Sequence, residues 1–393
     1  MQSLFSARPA WAEVNLDHIA HNVRQFRQSI GPMTQIMAVV KADGYGHGAA
    51  AVAETALNSG ASSLAVAFAA EAIDLRRKGI EAPILLLGYT DPDNFPYLVE
   101  YKLTPTVFGF DTALALSKMA VEDGVTIPVH IKVDTGMGRL GLLPEEAVEV
   151  VSRIKLLPGL ITEGIFTHLA AAEEKDKTYT REQLRLFNRI LDQCHKKGII
   201  FPLIHAANSA AAMDYPAARY NLIRLGLAMY GSYPSPDQDN NDFYLLPVLT
   251  FKSRVVLVKR VAPGTAISYG CTYRTKEESL IATIPVGYAD GYSRLLSNKG
   301  QILIRGQRAP VVGNICMDHF MADVSHIPGV QLNDEVVIYG RQGDQQVSVE
   351  EAADKVGTIS YELLCSVGKR VARLYFREGK LSSIHDFLEN CIF

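Results

Sequence analysis

The 393-residue chain is 48% hydrophobic and 21% charged, with a formal net charge of −3. That is ordinary globular composition, long enough for a barrel of about 250 residues plus a smaller domain, and so neutral a balance argues against nucleic-acid or anionic-membrane binding. No apolar run approaches the roughly 20 residues of a bilayer span, and the opening MQSLFSARPAWAEV lacks the basic start and apolar stretch of a secretory signal.

From the N-terminus, residues 17–30 place Ile19, Val23, Phe26 and Ile30 on one helical face, with Asp17 to begin the helix and Gly31-Pro32 to end it. Eight short apolar runs then alternate with helical stretches: 36–40, 64–68, 84–87, 105–108, 129–133, 164–167, 203–206 and 222–225. Such alternation predicts parallel strands joined by right-handed crossovers, and eight units before residue 230 predict a closed barrel. Residues 232–242 (SYPSPDQDNND) carry no apolar period and read as a linker. Beyond it, 248–261, 279–286, 301–304 and 335–339 are rich in Val and Ile between turn residues, and a last helix lies near 350–356. The expected fold is α/β: an N-terminal (β/α)8 TIM-like barrel over residues 1–236 and a mainly-β C-terminal domain over 237–393. Cys194, Cys271, Cys316, Cys365 and Cys391 are odd in number, scattered, and form no C-x-x-C. Neither a disulfide framework nor a zinc site is expected, and the chain reads as cytoplasmic.

Lys41 directly follows the first run, and barrel enzymes carry their chemistry at the C-terminal ends of strands. A lysine there is either a side chain snorkelling at a strand end or a partly desolvated amine able to form an imine. The following loop, Ala42-Asp43-Gly44-Tyr45-Gly46-His47-Gly48, alternates glycines that let backbone approach a ligand, and Tyr45 offers a hydroxyl to an anion. Barrels often bind phosphate after strands seven and eight. Here Asn208-Ser209 follows the seventh run and Gly226-Leu227 the eighth, so the Ser209 hydroxyl and the two amides can form a cup. An imine lysine facing a phosphate cup is what pyridoxal phosphate requires, and Arg224, closing the eighth run, could face its pyridine nitrogen.

Residues 136–141 (GMGRLG) match G-x-G-x-x-G after a strand, but the run is the fifth and no acidic residue ends the next one; Glu163 stands at its start. Arg139 is better read as a carboxylate-binding arginine. His47, His168 and His205 lack the spacing of a metal hydrolase, so they are expected as core or ring-contacting histidines and no metal is expected.

Across almost its whole length the chain resembles the alanine racemase family. The match rests on 38–48 (AVVKADGYGHG), 132–139 (KVDTGMGR), Thr167-His168, 205–209 (HAANS), 224–231 (RLGLAMYG), Ser268-Tyr269-Gly270, 287–291 (GYADG), Cys316-Met317-Asp318 and Tyr361-Glu362, in that order. The resemblance implies pyridoxal 5'-phosphate held by Lys41, its phosphate bound by Tyr45, Ser209, Gly226, Leu227 and Tyr361, its nitrogen faced by Arg224 and its ring by His168. It implies Arg139 near the cofactor's phenolic oxygen and the substrate carboxylate, and Tyr288 at the gate. Lys132, His205 and Asp318 have supporting roles, and the lysine matching Lys132 carries a carbamate in many members. It further implies a head-to-tail homodimer with shared active sites, Tyr269 and Met317 coming from the partner subunit.

The implied reaction interconverts L- and D-alanine, the D-enantiomer serving cell-wall peptidoglycan. Lys41 would handle the α-proton of the D-enantiomer and Tyr269 that of the L-enantiomer; a free tyrosine titrates near pH ~10, so Tyr269 needs positive charge nearby. A donor-only arginine at Arg224 cannot leave a proton on the pyridine nitrogen as a carboxylate could, which weakens the electron sink and suits a racemase better than an aminotransferase. The alternatives are a serine or broad-specificity racemase, a pyridoxal-phosphate decarboxylase, against which Ser268-Tyr269-Gly270 speaks, and a cofactor-carrier protein, which would leave the second domain without a purpose.

Overall fold

The computed structural model describes residues 8–235 and 243–386. Two compact units emerge, and neither is a continuous stretch of chain: one comprises Ile19–Gly44 and Ala49–Leu246, the other Met1–His18, Tyr45–Gly48 and Pro247–Phe393.

The first strand, β1 (Ala10–Asn15), lies outside the barrel. It runs antiparallel to Leu249–Arg254 and parallel to Ala372–Arg377, so the start of the chain is a central strand of the second unit's sheet. Helix α1 (Leu16–Ile30) follows at once. Its cap is Asn15 rather than Asp17: the Asn15 side chain accepts from the backbone amides of Asp17 (3.0 Å) and His18 (3.2 Å). Ile19, Val23 and Phe26 are fully buried as the periodicity requires, Ile30 half-buried, and Gly31 at φ +76° ends the helix.

All eight apolar runs are parallel strands: β2 (Gln35–Val39), β3 (Ser63–Val66), β4 (Ile84–Leu86), β5 (Thr104–Val107), β6 (Ile127–Lys132), β7 (Leu160–Phe166), β8 (Leu203–His205) and β9 (Leu222–Leu225). Their order, β8-β7-β6-β5-β4-β3-β2-β9, is that of a nearly closed barrel. At the β8/β9 seam the Arg224 amide donates to Ala207 O (3.0 Å) and the Ile204 amide to the Asn221 side chain (2.7 Å). Burial on both faces is why these strands read as apolar runs instead of alternating ones.

The second unit is mainly β, with helices Val349–Val356 and Ser360–Ser366. Its large sheet contains β1, Leu249–Arg254, Gln301–Ile304, Gln307–Pro310, Glu335–Gln342, Ala372–Arg377 and Lys380–His385, with Gln345–Val347 on its side. The run 248–261 is two strands: Leu249–Arg254 joins this sheet, whereas Leu257–Val261 pairs with Ser279–Ile284 in a separate three-stranded one. Of the expected linker, residues 236–242 lie outside the described residues. Among the described residues no helix is long and apolar enough to cross a membrane.

Candidate active site

Lys41 stands two residues past β2, and the chain turns there in an uncommon way. Ala42, Asp43 and Gly44 have φ of 52°, 52° and 61° with ψ of 49°, 48° and 44°, and Tyr45 also has φ 52°. The Gly44 amide donates to Val40 O at 2.9 Å, closing a left-handed helical turn. For non-glycine residues this costs about 1–2 kcal/mol each, so the turn persists only if its surroundings hold it. Glu71 does so: one carboxylate oxygen accepts from the Ala42 amide (2.6 Å), the other from Ala67 (2.7 Å). Asp43 accepts from the Ala49 amide at 2.9 Å. The expected glycine-driven bend is therefore also a strained turn of Ala42, Asp43 and Tyr45, clamped at its base.

Arg224, on β9, is almost fully buried and forms four hydrogen bonds. It donates to Thr167 O (2.9 Å), Ala206 O (2.9 Å), His168 Nδ1 (3.1 Å) and His205 Nδ1 (2.8 Å). A guanidinium only donates, so both rings must accept at Nδ1 and carry their proton on Nε2. His205 Nε2 then donates to His130 Nδ1 (2.9 Å), and His130 Nε2 to Glu163 (3.3 Å). One direction of donation thus runs from Arg224 through two buried histidines to a half-exposed carboxylate. Room for His130 comes from Gly164, where a Cβ would clash with the ring at 2.6 Å. Phe166 is the platform: His205 stacks on it at 4.6 Å, and Arg224 and Lys132 lie over it at 5.3 and 5.5 Å.

Positive charge accumulates here. Burial, then the charge of Arg139, pulls the Arg224 guanidinium down to about 9, still a cation at neutral pH. Burial, then Arg139 and Arg224, lowers the Lys132 amine to about 8 against the opposing pull of Asp134. His168 is held well below the usual histidine range by burial and then by Arg224, Arg139, Lys132 and Lys41, which keeps it neutral. A half-buried histidine acted on by four cations is the lining of a site for an anion.

Arg139 is exposed, at the end of a loop wrapped around Asp134. Burial alone would raise the Asp134 carboxyl, but donation from the amides of Gly136 (2.9 Å), Gly138 (3.0 Å) and Arg139 (3.0 Å), with Met137, holds it below the usual range. The amides that a dinucleotide loop would aim at phosphate are taken by this carboxylate, which explains the misleading glycine pattern. In the phosphate cup, Ser209 Oγ accepts from the amides of Gly226 (3.0 Å) and Ala228 (3.3 Å). The Gly226 amide is thus engaged with Ser209, and a hydroxyl accepting two bonds has its own proton left to donate.

In the second unit, Tyr45 is buried with its ring 6.0 Å from that of Tyr361, and His47 Nδ1 lies 2.9 Å from Tyr45 O. Tyr269, Tyr288 and Met317 are exposed on loops bonded to one short segment, 314–317. Asn314 donates to Tyr269 O (2.7 Å), and the amides of Tyr288 and Ala289 donate to Cys316 O and Met317 O (3.1 Å each). Asp318 pairs with Arg370 at 2.7 Å, and Arg370 lies 3.6 Å from buried Asp290, which Arg8 grips with both nitrogens. Glu71, His130, Asp134, Phe166, Asp290 and Arg370 were not singled out from sequence; only Asp134, in an Asp-x-Gly turn, carries a local signal.

The donor set fits pyridoxal phosphate: four cations around neutral His168, a hydroxyl with a proton to give, and a lysine at a strand end. Among the described residues no cluster of histidine, cysteine or acidic groups is arranged to hold a metal ion. The family model "Alanine racemase, N-terminal domain" matches residues 14–234, and "Alanine racemase, C-terminal domain" matches 248–375. The alanine racemase of Desulforamulus reducens is 50% identical over 368 residues, covering 93% of this chain and 99% of that one. Alanine racemase 1 of Clostridium acetobutylicum is 44% identical, covering 97% and 99%. Among solved structures, alanine racemase of Clostridium difficile 630 superposes with TM-score 0.93 at 39% identity, covering 98% of this chain and 100% of that one. The Bacillus anthracis alanine racemase with bound L-Ala-P gives TM-score 0.91 at 38% identity, with the same coverage.

Proposed function

This chain belongs to the alanine racemase family, and from that premise we propose how its residues divide the interconversion of L- and D-alanine. It is an amino-acid isomerase that depends on pyridoxal 5'-phosphate. The observation that supports the assignment of roles is the gathering of Lys41, Lys132, Arg139 and Arg224 around neutral His168. Lys41 would hold the cofactor; Tyr45, Ser209, Leu227 and Tyr361 would bind its phosphate, Gly226 contributing through the Ser209 hydroxyl that its amide fixes. Arg224 would face its pyridine nitrogen and His168 its ring. When bound, the cofactor supplies the electron sink that acidifies the substrate α-carbon.

The chain supplies orientation and two proton carriers. Arg139 binds the substrate carboxylate, with its backbone held by Asp134. The Lys41 amine exchanges the α-proton of the D-enantiomer and the Tyr269 hydroxyl that of the L-enantiomer. Arg224 remains protonated, so it offers the ring nitrogen a hydrogen bond without the basicity that favours transamination. Tyr288 gates the site. His205 positions Arg224, and Asp318, paired with Arg370, supports the Met317 loop.

A homodimer follows as part of the proposal, with Tyr269 and Met317 reaching the partner's site. Tyr269 is 72% exposed and Met317 53%, a large apolar presentation for one loop cluster, of the kind that marks an interaction surface. The functional division of the chain is placed at residues 236/237, Lys41 on one side and Tyr269 on the other. Cys194, Cys271 and Cys316 are free thiols, which suits the cytoplasm, where D-alanine would be made for peptidoglycan.

The test is incubation of the purified protein and pyridoxal phosphate with single L-amino acids in heavy water, followed by chiral analysis. D-alanine carrying deuterium at the α-carbon is expected, with serine and larger substrates ranked in the same panel. Cofactor binding without α-proton exchange on any amino acid would sink the reading. Tyr269→Phe should abolish turnover from L-alanine while the cofactor still binds; near wild-type racemisation would remove Tyr269 from the mechanism.

A further inference from the structure

We infer that Arg373 is a positioning residue for the phosphate end of the site, holding the Tyr45 loop and the Tyr361 helix together as one phosphate-gripping pair. The inference rests on the proposed roles of those two tyrosines.

Arg373 is 4% exposed and projects from Ala372–Arg377, a strand paired on both sides, with β1 and with Lys380–His385. A guanidinium has five N–H donors, and here each has a backbone carbonyl to meet. Nε and one Nη2 donor reach Gly46 O, at 3.1 and 2.9 Å. The other Nη2 donor reaches Val367 O (2.5 Å), and the two on Nη1 reach Gly368 O (2.5 Å) and Val371 O (2.6 Å).

The positions of those carbonyls give the residue its meaning. Gly46 immediately follows Tyr45, so the double bond to its carbonyl anchors the loop beside that side chain. Val367 is the C-terminal cap of the helix Ser360–Ser366, whose second residue is Tyr361. A cation at the end of a short helix meets carbonyls that have no partner within the helix and opposes the negative end of its dipole. The loop and the helix already meet closely: a Cβ on Gly46 would overlap Leu364 O, and Gly46 adopts φ +81°. The tyrosine rings lie 6.0 Å apart. Arg373 thus joins the two segments from behind, on a rigid strand, as the supporting shell of a binding site should. Lysine cannot reproduce this, because three donors on one nitrogen cannot reach four carbonyls around a plane.

The experiment compares two ligands on apo-protein: pyridoxal phosphate, and pyridoxal, which lacks only the phosphate. Titrations followed by cofactor absorbance give both affinities for wild type, Arg373→Lys and Tyr361→Phe. We expect Arg373→Lys to weaken pyridoxal phosphate roughly tenfold, the scale of one charge-assisted hydrogen bond, and to leave pyridoxal unchanged. Tyr361→Phe should lower the same ratio. Equal weakening of both ligands by Arg373→Lys, or of neither, overturns the inference and leaves the tyrosines' role standing. An unchanged ratio in Tyr361→Phe overturns that role and the inference with it. Should Arg373→Lys fail to fold, hydrogen exchange in the wild type decides: pyridoxal phosphate should slow exchange across 367–371, and unchanged rates there overturn the inference.

Discussion

Two glycine-rich loops leave the barrel, one after β2 and one after β6, and they are stabilised in opposite ways. The loop after β6 is organised from within: Asp134 gathers the amides of Gly136, Gly138 and Arg139 into a closed turn. The loop after β2 is organised from outside: its left-handed turn is clamped by Glu71, which belongs to the helix after β3. The first arrangement needs one residue and its neighbours, so it is robust. The second holds strained backbone next to Lys41 by reaching across to another element, as is common where strain positions a functional group. Glycine spacing is similar in both, and what distinguishes them is which carboxylate receives the amides.

The largest expected effect breaks the inner arrangement. Asp134→Ala takes the acceptor from at least three amides, two of them on exposed residues where water substitutes. The cost is about 1–2 kcal/mol, read as a lower denaturant midpoint with unchanged slope. It should also raise KM for alanine, since Arg139 loses its backbone anchor. A loss under about 0.5 kcal/mol, within the range of ordinary surface substitutions, would show that the loop is held by something else.

The same carboxylate predicts an acid dependence. The folded Asp134 pKa is lowered by its amide bonds, against the opposing effect of burial. Its stabilising contribution is therefore fully present above the unfolded value of about 3.9 and is lost as pH falls through the lower folded value. Asp134→Asn should remove this part of the acid response. Denaturation series at pH 5 and pH 3 check it: if wild type and variant lose stability in parallel, Asp134 is not depressed in the folded state.

Breaking the outer arrangement should separate activity from stability. Glu71→Gln keeps one acceptor oxygen and loses the charge, so the fold should weaken by only about 1 kcal/mol. The turn beside Lys41 then relaxes, and kcat should fall roughly tenfold, the cost of a misplaced proton-transfer group. Unchanged kcat would mean the left-handed turn is set without Glu71.

How far the sequence could be read follows from the same contrast. All eight barrel strands were legible because a parallel strand buried on both faces is an apolar run. β1 was not, since its partners lie more than 200 residues away and nothing local marks a strand that joins a distant sheet. Val255 and Val256 continued an apolar run across a change of sheet, so two strands looked like one. Lys41, Ser209 and Arg224 could be proposed because they end strands. Glu71, His130 and Glu163 act through partners brought close only by folding, and the left-handed turn at Ala42 and Asp43 occurs in residues that rarely favour it.

The comparison sharpens once more at β9, where the cation is held neither by its own loop nor by a neighbouring one but by a chain through the barrel. Arg224 fixes the His205 tautomer, His205 that of His130, and His130 donates to Glu163. His205 is kept well below the usual histidine range by burial and then by Arg224. Its unfolded form takes up a proton below pH ~6.5, so the neutral folded ring loses stability relative to it by up to about 1.4 kcal/mol per pH unit below that point. Above pH ~6.5 both states are neutral and the dependence vanishes. Glu163→Gln changes only the half-exposed end of the chain and still offers an acceptor to His130, so its stability cost should stay below about 1 kcal/mol. The Glu163 carboxyl is held below its usual range by the bond from His130, against burial, so the variant should nonetheless lose the acid dependence that this carboxylate contributes as pH falls below about 4.3. An identical pH profile in the variant would confine Glu163 to a surface contact and leave the orientation of Arg224 to its bonds with Thr167, Ala206 and His168.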